Sequence, residues 1–296
     1  MGVGRPFADF VTYLDSTTAS EDGVLLSDAL SRLTVEVRSV TAAGATSDAL
    51  RLASWFTREP QPVDADKVVS DLEIRQPFND LEIAFWKTPD DLRLRLSESF
   101  QKHLGLKDGH DIPGFDASLR FNERGWVPFE APEGAELWQI LSPVRMHPHG
   151  VHDLNRWVQR RFRAGQLQEA TKAWVTSLGD ENIVKIIQTM NQMRSGYDRA
   201  RDASEKNYLA NGEVGIVGPG KHPWLNVVFA GRPGLTFGYS GRDFPGGFGP
   251  LELAYALTVH KAQAVNSGKS SSSSQNLLGF CLANFSIPRL PDRATN

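Results

Sequence analysis

The chain contains almost no cysteine and no long apolar run. Its single cysteine, Cys281, excludes an internal disulfide framework and a metal centre built from several cysteines, and it is typical of a reducing cytoplasm. No apolar stretch approaches the roughly 20 residues that span a bilayer, so no membrane association is expected. The N-terminal segment MGVGRPFADFV lacks the basic and apolar regions of a signal peptide. These absences predict a cytoplasmic protein.

The chain also lacks a strong excess of charge of either sign. Its 296 residues carry a formal net charge of -3, so any contact with nucleic acid must come from a local basic face. Hydrophobic residues make up 40% and charged residues 23%, as in a soluble globular protein. The length allows one large domain or two medium ones.

Common catalytic motifs are missing as well. There is no Gly-x-Ser-x-Gly nucleophile elbow and no Gly-x-x-x-x-Gly-Lys-Ser/Thr phosphate cradle. His147, His149 and His152 lie in a Pro/Gly-rich loop without cysteine or a pattern of carboxylates. A metal site is one interpretation of these histidines, and the favoured one is a solvated loop.

Hydrophobic periodicity predicts several elements. Residues 70–105 are expected to be mainly helical, with a helix start at Thr88-Pro89-Asp90-Asp91. The segment LWQILSP is typical of a buried strand that ends at Pro143, and VHDLNRWVQRRFR of a helix. That helix carries arginines that either neutralise phosphates or form a solvated face. They are Arg156, Arg160, Arg161 and Arg163.

Residues 183–240 are rich in strand signals. Asn211-Gly212 is a strong two-residue hairpin signal, and Gly-Pro turns separate WLNVVF from LTFGYS. Four short strands with tight turns predict a small SH3-like barrel. The next distinctive stretch, LELAYALTVHKAQ at residues 251–263, predicts a buried strand that ends in hydroxyl, imidazole, ammonium and amide groups suited to an anion.

The string LELAYALTVHKAQ resembles motif V of superfamily 1 DNA helicases, most closely the RecD-like branch. LTVEVRSVTAAGATSDALRLASWF resembles motif IV, ANGEVGIVG resembles a hairpin of an SH3-like insertion, and QILSPVR with GVHDLNRWVQ resembles the later part of a second RecA-like domain. Residues 2–263 follow the order of that family. The expected fold class is therefore α/β: an incomplete second RecA-like, P-loop NTPase-type domain with a helical insertion and a small SH3-like β insertion.

The resemblance implies a division of the chain. Residues 1–56 would begin the second RecA-like domain, 57–135 would form a helical and loop insertion, and 136–182 would continue the RecA-like domain. Residues 183–245 would be the SH3-like insertion, 246–263 the motif V strand and turn, and 264–296 a disordered, out-of-frame tail.

The resemblance also implies function and site residues. The intact family uses ATP and Mg²⁺ to move along single-stranded DNA, as in DNA repair, and Arg38 would face the ATP γ-phosphate. Thr258, His260 and Arg145 would contact nucleic acid, while Lys261 and Gln263 would couple that contact to the nucleotide. Because the phosphate cradle, the Mg²⁺ carboxylates and motif VI are missing from the sequence, the chain alone is expected to bind neither ATP nor Mg²⁺ and to be inactive.

Two functional interpretations follow. In the first, the chain is the C-terminal fragment of a RecD-like helicase, with a separate chain as a possible carrier of the first RecA-like domain. In the second, it is a non-catalytic DNA- or protein-binding module that uses the SH3-like insertion and the basic helix.

The tail after Gln263 suggests a lost nucleotide. KSSSSSQN can be encoded so that a shifted frame gives VLLVLPE, and the same shift allows LLYTALTR, which resembles motif VI. We expect the gene to contain this alternative frame, displaced near the codons for Gln263 and Ala264. Sequencing the gene checks this, and an intact frame with no helicase-like alternative would contradict it.

Overall fold

The coordinates are a computed structural model. The structure describes residues 13, 48–55, 67, 70–72, 74, 76–78, 81–122, 132–169, 185–218, 224–259, 261–262 and 278–281. The chain divides into two units, residues 1–84 and 85–296. In the first unit, helix α1 spans Asp48–Trp55, and the Arg51 guanidinium lies 3.1 Å from the Asp48 carboxylate. The remaining elements described below belong to the second unit, which is mixed α/β.

The second unit contains helices α2 (Pro89–Leu104), α3 (Ile112–Ser118) and α4 (Val151–Glu169). Its strands are β1 (Trp138–Ser142), β2 (Lys185–Gln188), β3 (Gln192–Asp198), β4 (Ala203–Leu209), β5 (Val214–Gly218), β6 (Trp224–Phe229), β7 (Leu235–Ser240), β8 (Leu251–Leu253), β9 (Ala256–Thr258) and β10 (Leu278–Cys281). Within the described part of the chain, no helix is both long and apolar enough to cross a membrane.

Helix α2 begins where the sequence predicted. The Thr88 hydroxyl accepts a hydrogen bond from the Asp91 amide at 3.2 Å, and Gly105 ends the helix with φ of 72°. The prediction that residues 70–105 are mainly helical is wrong for 81–88, which lie outside any helix. Thr88 is extended (φ -126°, ψ 159°) because the following Pro89 disfavours helical backbone at the preceding residue.

The strands form two sheets of different kinds. In the first sheet, β1 lies between β10 and β9, and both neighbours run parallel to it. Helix α4 follows β1 and packs against β9. The second sheet is antiparallel, in the order β4-β3-β7-β6-β5-β2-β8.

The antiparallel sheet curls on itself. Only three residues, 189–191, join β2 to β3, although these strands are sixth and second in the sheet order. Such a short connection requires the two ends of the sheet to approach each other. The Tyr239 hydroxyl of β7 links β2 to β3. It donates a hydrogen bond to Gln188 Oε1 of β2 at 2.9 Å and accepts one from Gln192 Nε2 of β3 at 3.4 Å.

Two predictions about this region need correction. Four strands were expected in residues 183–240, and the described part of this span contains six. Asn211-Gly212 forms a turn, with Gly212 at φ of 102°, but β4 and β5 on either side of it do not pair with each other. Gly212 instead donates its amide to Gln188 O at 2.9 Å, so the turn packs on β2.

The segment predicted as one buried strand is two strands in two sheets. Strand β8 pairs with β2 in the antiparallel sheet, and β9 pairs with β1 in the parallel sheet. Residues 253–256, which we call the sheet junction, make the crossing. Asn155 of α4 donates to Leu253 O at 3.1 Å and Ala256 O at 2.9 Å, and it accepts from Ala256 N at 2.8 Å.

A second amide completes the sheet junction. Gln139 Nε2 donates to Ala254 O at 3.1 Å and to Tyr255 O at 2.9 Å. The Ala254 amide donates to Lys185 O at 2.9 Å. Backbone groups of the sheet junction that belong to neither sheet are therefore hydrogen-bonded to side chains or to β2, as buried polar groups require.

Aromatic rings pack beneath the sheet junction. The rings of Phe115 and Phe162 stack with centroids 4.0 Å apart, and Trp138 stacks on Tyr255 at 6.3 Å. Phe100 lies 5.5 Å from Trp138. These buried rings join α2, α3 and α4 to the parallel sheet.

The tail was predicted to be disordered from residue 264 onward, and one part of it is a strand. Leu278–Cys281 pair in parallel register with residues 138–141 of β1. The apolar tetrad LGFC can supply the ladder hydrogen bonds that the edge of β1 offers, which a serine-rich composition does not indicate.

Lys185 is buried between the two sheets. Its ammonium donates to Trp138 O at 2.6 Å and lies 4.8 Å from the centre of the Trp138 ring. Burial lowers the pKa of Lys185 to about 7, and the charge of Glu136 opposes that shift. The folded protein therefore holds this proton less tightly than the unfolded chain does.

We expect Asn155→Ala to lower the free energy of unfolding by about 2–4 kcal/mol, because three buried backbone groups lose their partner. Urea unfolding followed by tryptophan fluorescence measures this. Asn207→Ala is the matched control, because the hydrogen bond from the Asn207 side-chain amide to Glu205 O is exposed. This variant should lower the free energy of unfolding by less than about 0.5 kcal/mol. Equal losses in the two variants would contradict the role given to Asn155.

Lys185→Met tests the buried ammonium. The folded pKa lies below the unfolded value, so the wild type gains stability as pH rises from 7 toward 10, by about 1.4 kcal/mol per pH unit relative to the variant. Below pH 7 the cost of burying the charge is fully present, and the variant should be the more stable protein. Urea unfolding of both proteins between pH 6 and 9.5 measures the difference. Parallel stability curves would show that Lys185 does not titrate in this range.

Candidate functional site

The carboxyl ends of β1 and β9 lie side by side. Ser142, the last residue of β1, is in register with Thr258, the last residue of β9. The chain segments that follow both strands therefore leave the sheet at the same edge. In open α/β sheets, this edge is where ligands bind.

The segment after β1, residues 143–150, is a fixed loop that we call the β1 loop. The buried Ser142 hydroxyl donates to His149 O at 2.9 Å and accepts from Val144 N at 3.3 Å. The loop also closes on itself, because Gly150 N donates to His147 O at 2.6 Å. A Cβ at Gly150 would lie 2.7 Å from the Arg145 carbonyl, so this close approach requires glycine.

The β1 loop is joined to the start of α4. Val151 N donates to Val144 O at 3.0 Å, and His152 N donates to Arg145 O at 3.2 Å. These bonds pair two of the amides that a helix leaves free at its first turn. The backbone of Arg145 is consequently held between the strand and the helix.

Three charged side chains meet at this edge and form what we call the Glu252 cluster. Lys261 Nζ lies 2.7 Å from Glu252 Oε2, and Arg145 Nη2 lies 3.8 Å from the same oxygen. Thr258 accepts a hydrogen bond from the Lys261 amide at 3.3 Å, which fixes the turn after β9. The structure thus brings together Arg145, Thr258 and Lys261, which the sequence singled out.

The Glu252 cluster is open to solvent. The side chains of Arg145, Glu252 and Lys261 are 54%, 39% and 28% exposed. Ion pairs with this exposure contribute at most about 1 kcal/mol each. An incoming anion can therefore replace the carboxylate at small cost.

Three residues of the predicted site lie outside the part of the chain that the structure describes. They are Arg38, His260 and Gln263. Glu252 is a site residue that the sequence analysis missed. The sequence feature that could have identified it is one charged residue between two apolar ones, Leu251 and Leu253. Because side chains alternate between the two faces of a strand, Glu252 points away from the face that buries these two neighbours.

The predicted basic face of α4 is largely engaged within the protein. The buried Arg163 lies 2.6 Å from the Asp116 carboxylate at a kink of the helix. Arg161 donates to Gly109 O and lies over the Trp157 ring, and Arg156 donates to Gln159 Oε1 at 2.8 Å. This helix therefore presents fewer open cations than its sequence indicates.

Two of the three histidines expected in a loop, His147 and His149, lie in the β1 loop, whereas His152 is the second residue of α4. Across the residues described, no group of three or more His, Cys, Asp or Glu side chains is placed to hold a metal ion. His147 and His149 instead stack on each other, with ring centroids 5.6 Å apart and an angle of 10° between the ring planes.

Comparisons with known proteins leave the family of this chain open. Neither protein-family models nor curated protein sequences give a match. Its function must therefore be argued from the Glu252 cluster and the strands that carry it.

Proposed function

We propose that this chain binds the backbone of single-stranded DNA at the carboxyl edge of its parallel sheet, as the second RecA-like domain of a RecD-like superfamily 1 helicase would. One observation carries the proposal. Arg145 and Lys261, which come from different segments, converge on one carboxylate oxygen of Glu252. Two cations that share one oxygen are arranged to hold a phosphate in its place.

The charged groups of the Glu252 cluster favour a flexible anionic polymer as the ligand. Two cations, together with the hydroxyl at the end of β9, suit phosphate oxygens, and their exposure leaves room for a ligand that extends in both directions. Such contacts tolerate any base sequence and weaken with salt, as is usual for single-strand binding.

The architecture is compatible with the proposed family. Strand β1, helix α4 and strand β9 form a parallel crossover, which is the repeating unit of RecA-like domains. The curled antiparallel sheet interrupts this crossover, in the position proposed for the SH3-like insertion. In this proposal the insertion extends to Leu253, since β8 belongs to the antiparallel sheet.

The contacts do not favour a nucleotide step in this chain. Its sequence holds no Gly-x-x-x-x-Gly-Lys-Ser/Thr cradle for the nucleotide phosphates. The proposal is therefore limited to a DNA contact. A module that binds DNA through α4 is less well supported, because Arg156, Arg161 and Arg163 already have partners in the protein.

We expect the double variant Arg145→Ala, Lys261→Ala to bind labelled oligothymidine more weakly, because it loses two phosphate contacts. The slope of log affinity against log salt should fall by about 0.7 for each lost contact. Fluorescence anisotropy at several salt concentrations measures both quantities. Glu252→Gln should strengthen binding by up to about fivefold, since it removes the competing carboxylate.

Arg201→Ala is the control, because this arginine is 75% exposed in the turn between β3 and β4. It should leave affinity and salt slope close to those of the wild type. Weaker binding by Glu252→Gln, or an effect of Arg201→Ala as large as that of the double variant, would overturn the proposed site.

A further inference from the structure

A row of aromatic rings leads from the core to the surface at the β1 loop, which also carries Arg145. Trp86 packs against the hydrophobic core, and its ring lies 5.5 Å from that of His149. His149 stacks in turn on His147 at 5.6 Å, with the ring planes nearly parallel. Trp86 is partly buried, His149 is partly buried, and His147 is exposed. The row therefore ends at a ring in contact with solvent.

The outer ring belongs to the same short loop as Arg145. Both residues lie in the β1 loop, which is fixed by the Ser142 hydroxyl and by the amides of Gly150 and Val151. The imidazole of His147 is thus held by ring stacking, and its backbone by hydrogen bonds. A ring that is already ordered loses little conformational entropy when a ligand stacks on it.

The placement of this ring indicates what it contacts. His147 is an exposed, planar ring two residues along the β1 loop from the cation Arg145. Proteins that hold single strands combine these two features: cations follow the backbone and rings stack on unpaired bases. A base-paired strand keeps its bases stacked inside the duplex, so it offers no free face to His147. A ring that stacks on a base would therefore add selectivity for unpaired strands, which phosphate contacts alone do not provide.

We infer that His147 is a base-stacking residue, and that the row Trp86, His149 and His147 is the platform that supports it. The ligand class is single-stranded nucleic acid of any sequence. This inference rests on the proposed function, because the stacked base belongs to the strand whose phosphate lies at the Glu252 cluster.

The test compares His147→Ala and His147→Phe with the wild-type chain of 296 residues. Each protein is titrated into labelled oligothymidine of about 12 nucleotides and into an abasic oligomer of equal length. His147→Ala should weaken binding of oligothymidine by about tenfold, leave binding of the abasic oligomer unchanged and keep the salt slope. His147→Phe should retain the affinity for oligothymidine, because phenylalanine keeps a stacking face. His110→Ala, which changes an exposed histidine outside the β1 loop, should have no effect.

The outcomes separate this inference from the proposed function. If the double variant of Arg145 and Lys261 loses affinity but His147→Ala matches the wild type on oligothymidine, the stacking role is wrong and the phosphate site stands. Equal losses by His147→Ala on both oligomers, or binding by His147→Phe as weak as that of His147→Ala, also overturn stacking. If the double variant binds both oligomers as the wild type does, the phosphate site itself fails.

Discussion

The architecture of the second unit depends on the hydrogen bonds that the Asn155 side-chain amide makes at the sheet junction. A chain that passes from one sheet to another leaves both hydrogen-bond ladders for a few residues, and its buried backbone groups then need other partners. Asn155 pairs three of these groups, and Gln139 pairs two more. Because α4 follows directly from the β1 loop, the same helix positions both the crossing and the loop.

The crossing explains why the candidate site draws on both sheets. Glu252 lies on β8 of the antiparallel sheet, whereas Arg145 and Lys261 follow strands of the parallel sheet. If residues 251–258 formed one continuous strand, residues 252 and 258 would both belong to the same sheet. The break at the sheet junction brings the carboxylate of one sheet to the cations of the other.

Sequence patterns predicted the local structure better than the pairing of strands. The start of α2 depends on residues close together in the sequence, Thr88, Pro89 and Asp91, and it was predicted correctly. The signal of Asn211-Gly212 correctly indicated a turn, yet the partner of that turn is Gln188, which lies in a separate strand. The apolar run at 251–258 shows no break because both strands are buried, and the residue that breaks it, Asn155, lies about 100 residues earlier in the chain.

The site was predicted only in part for a related reason. Arg145, Thr258 and Lys261 were identified by resemblance, whereas Glu252 acquires its role only when two sheets meet. The histidines of the β1 loop were interpreted as solvated because their sequence neighbours are Pro and Gly, and the ring that orders them, Trp86, precedes the helix α2. The side chains of Arg145 and Lys261 contact Glu252, whereas the ring of His149 contacts Trp86. Because Arg145 and His147 share the β1 loop, its hydrogen bonds from Ser142, Gly150 and Val151 position the backbone of both residues, and substitutions at neighbouring positions of one loop are expected to be coupled rather than additive.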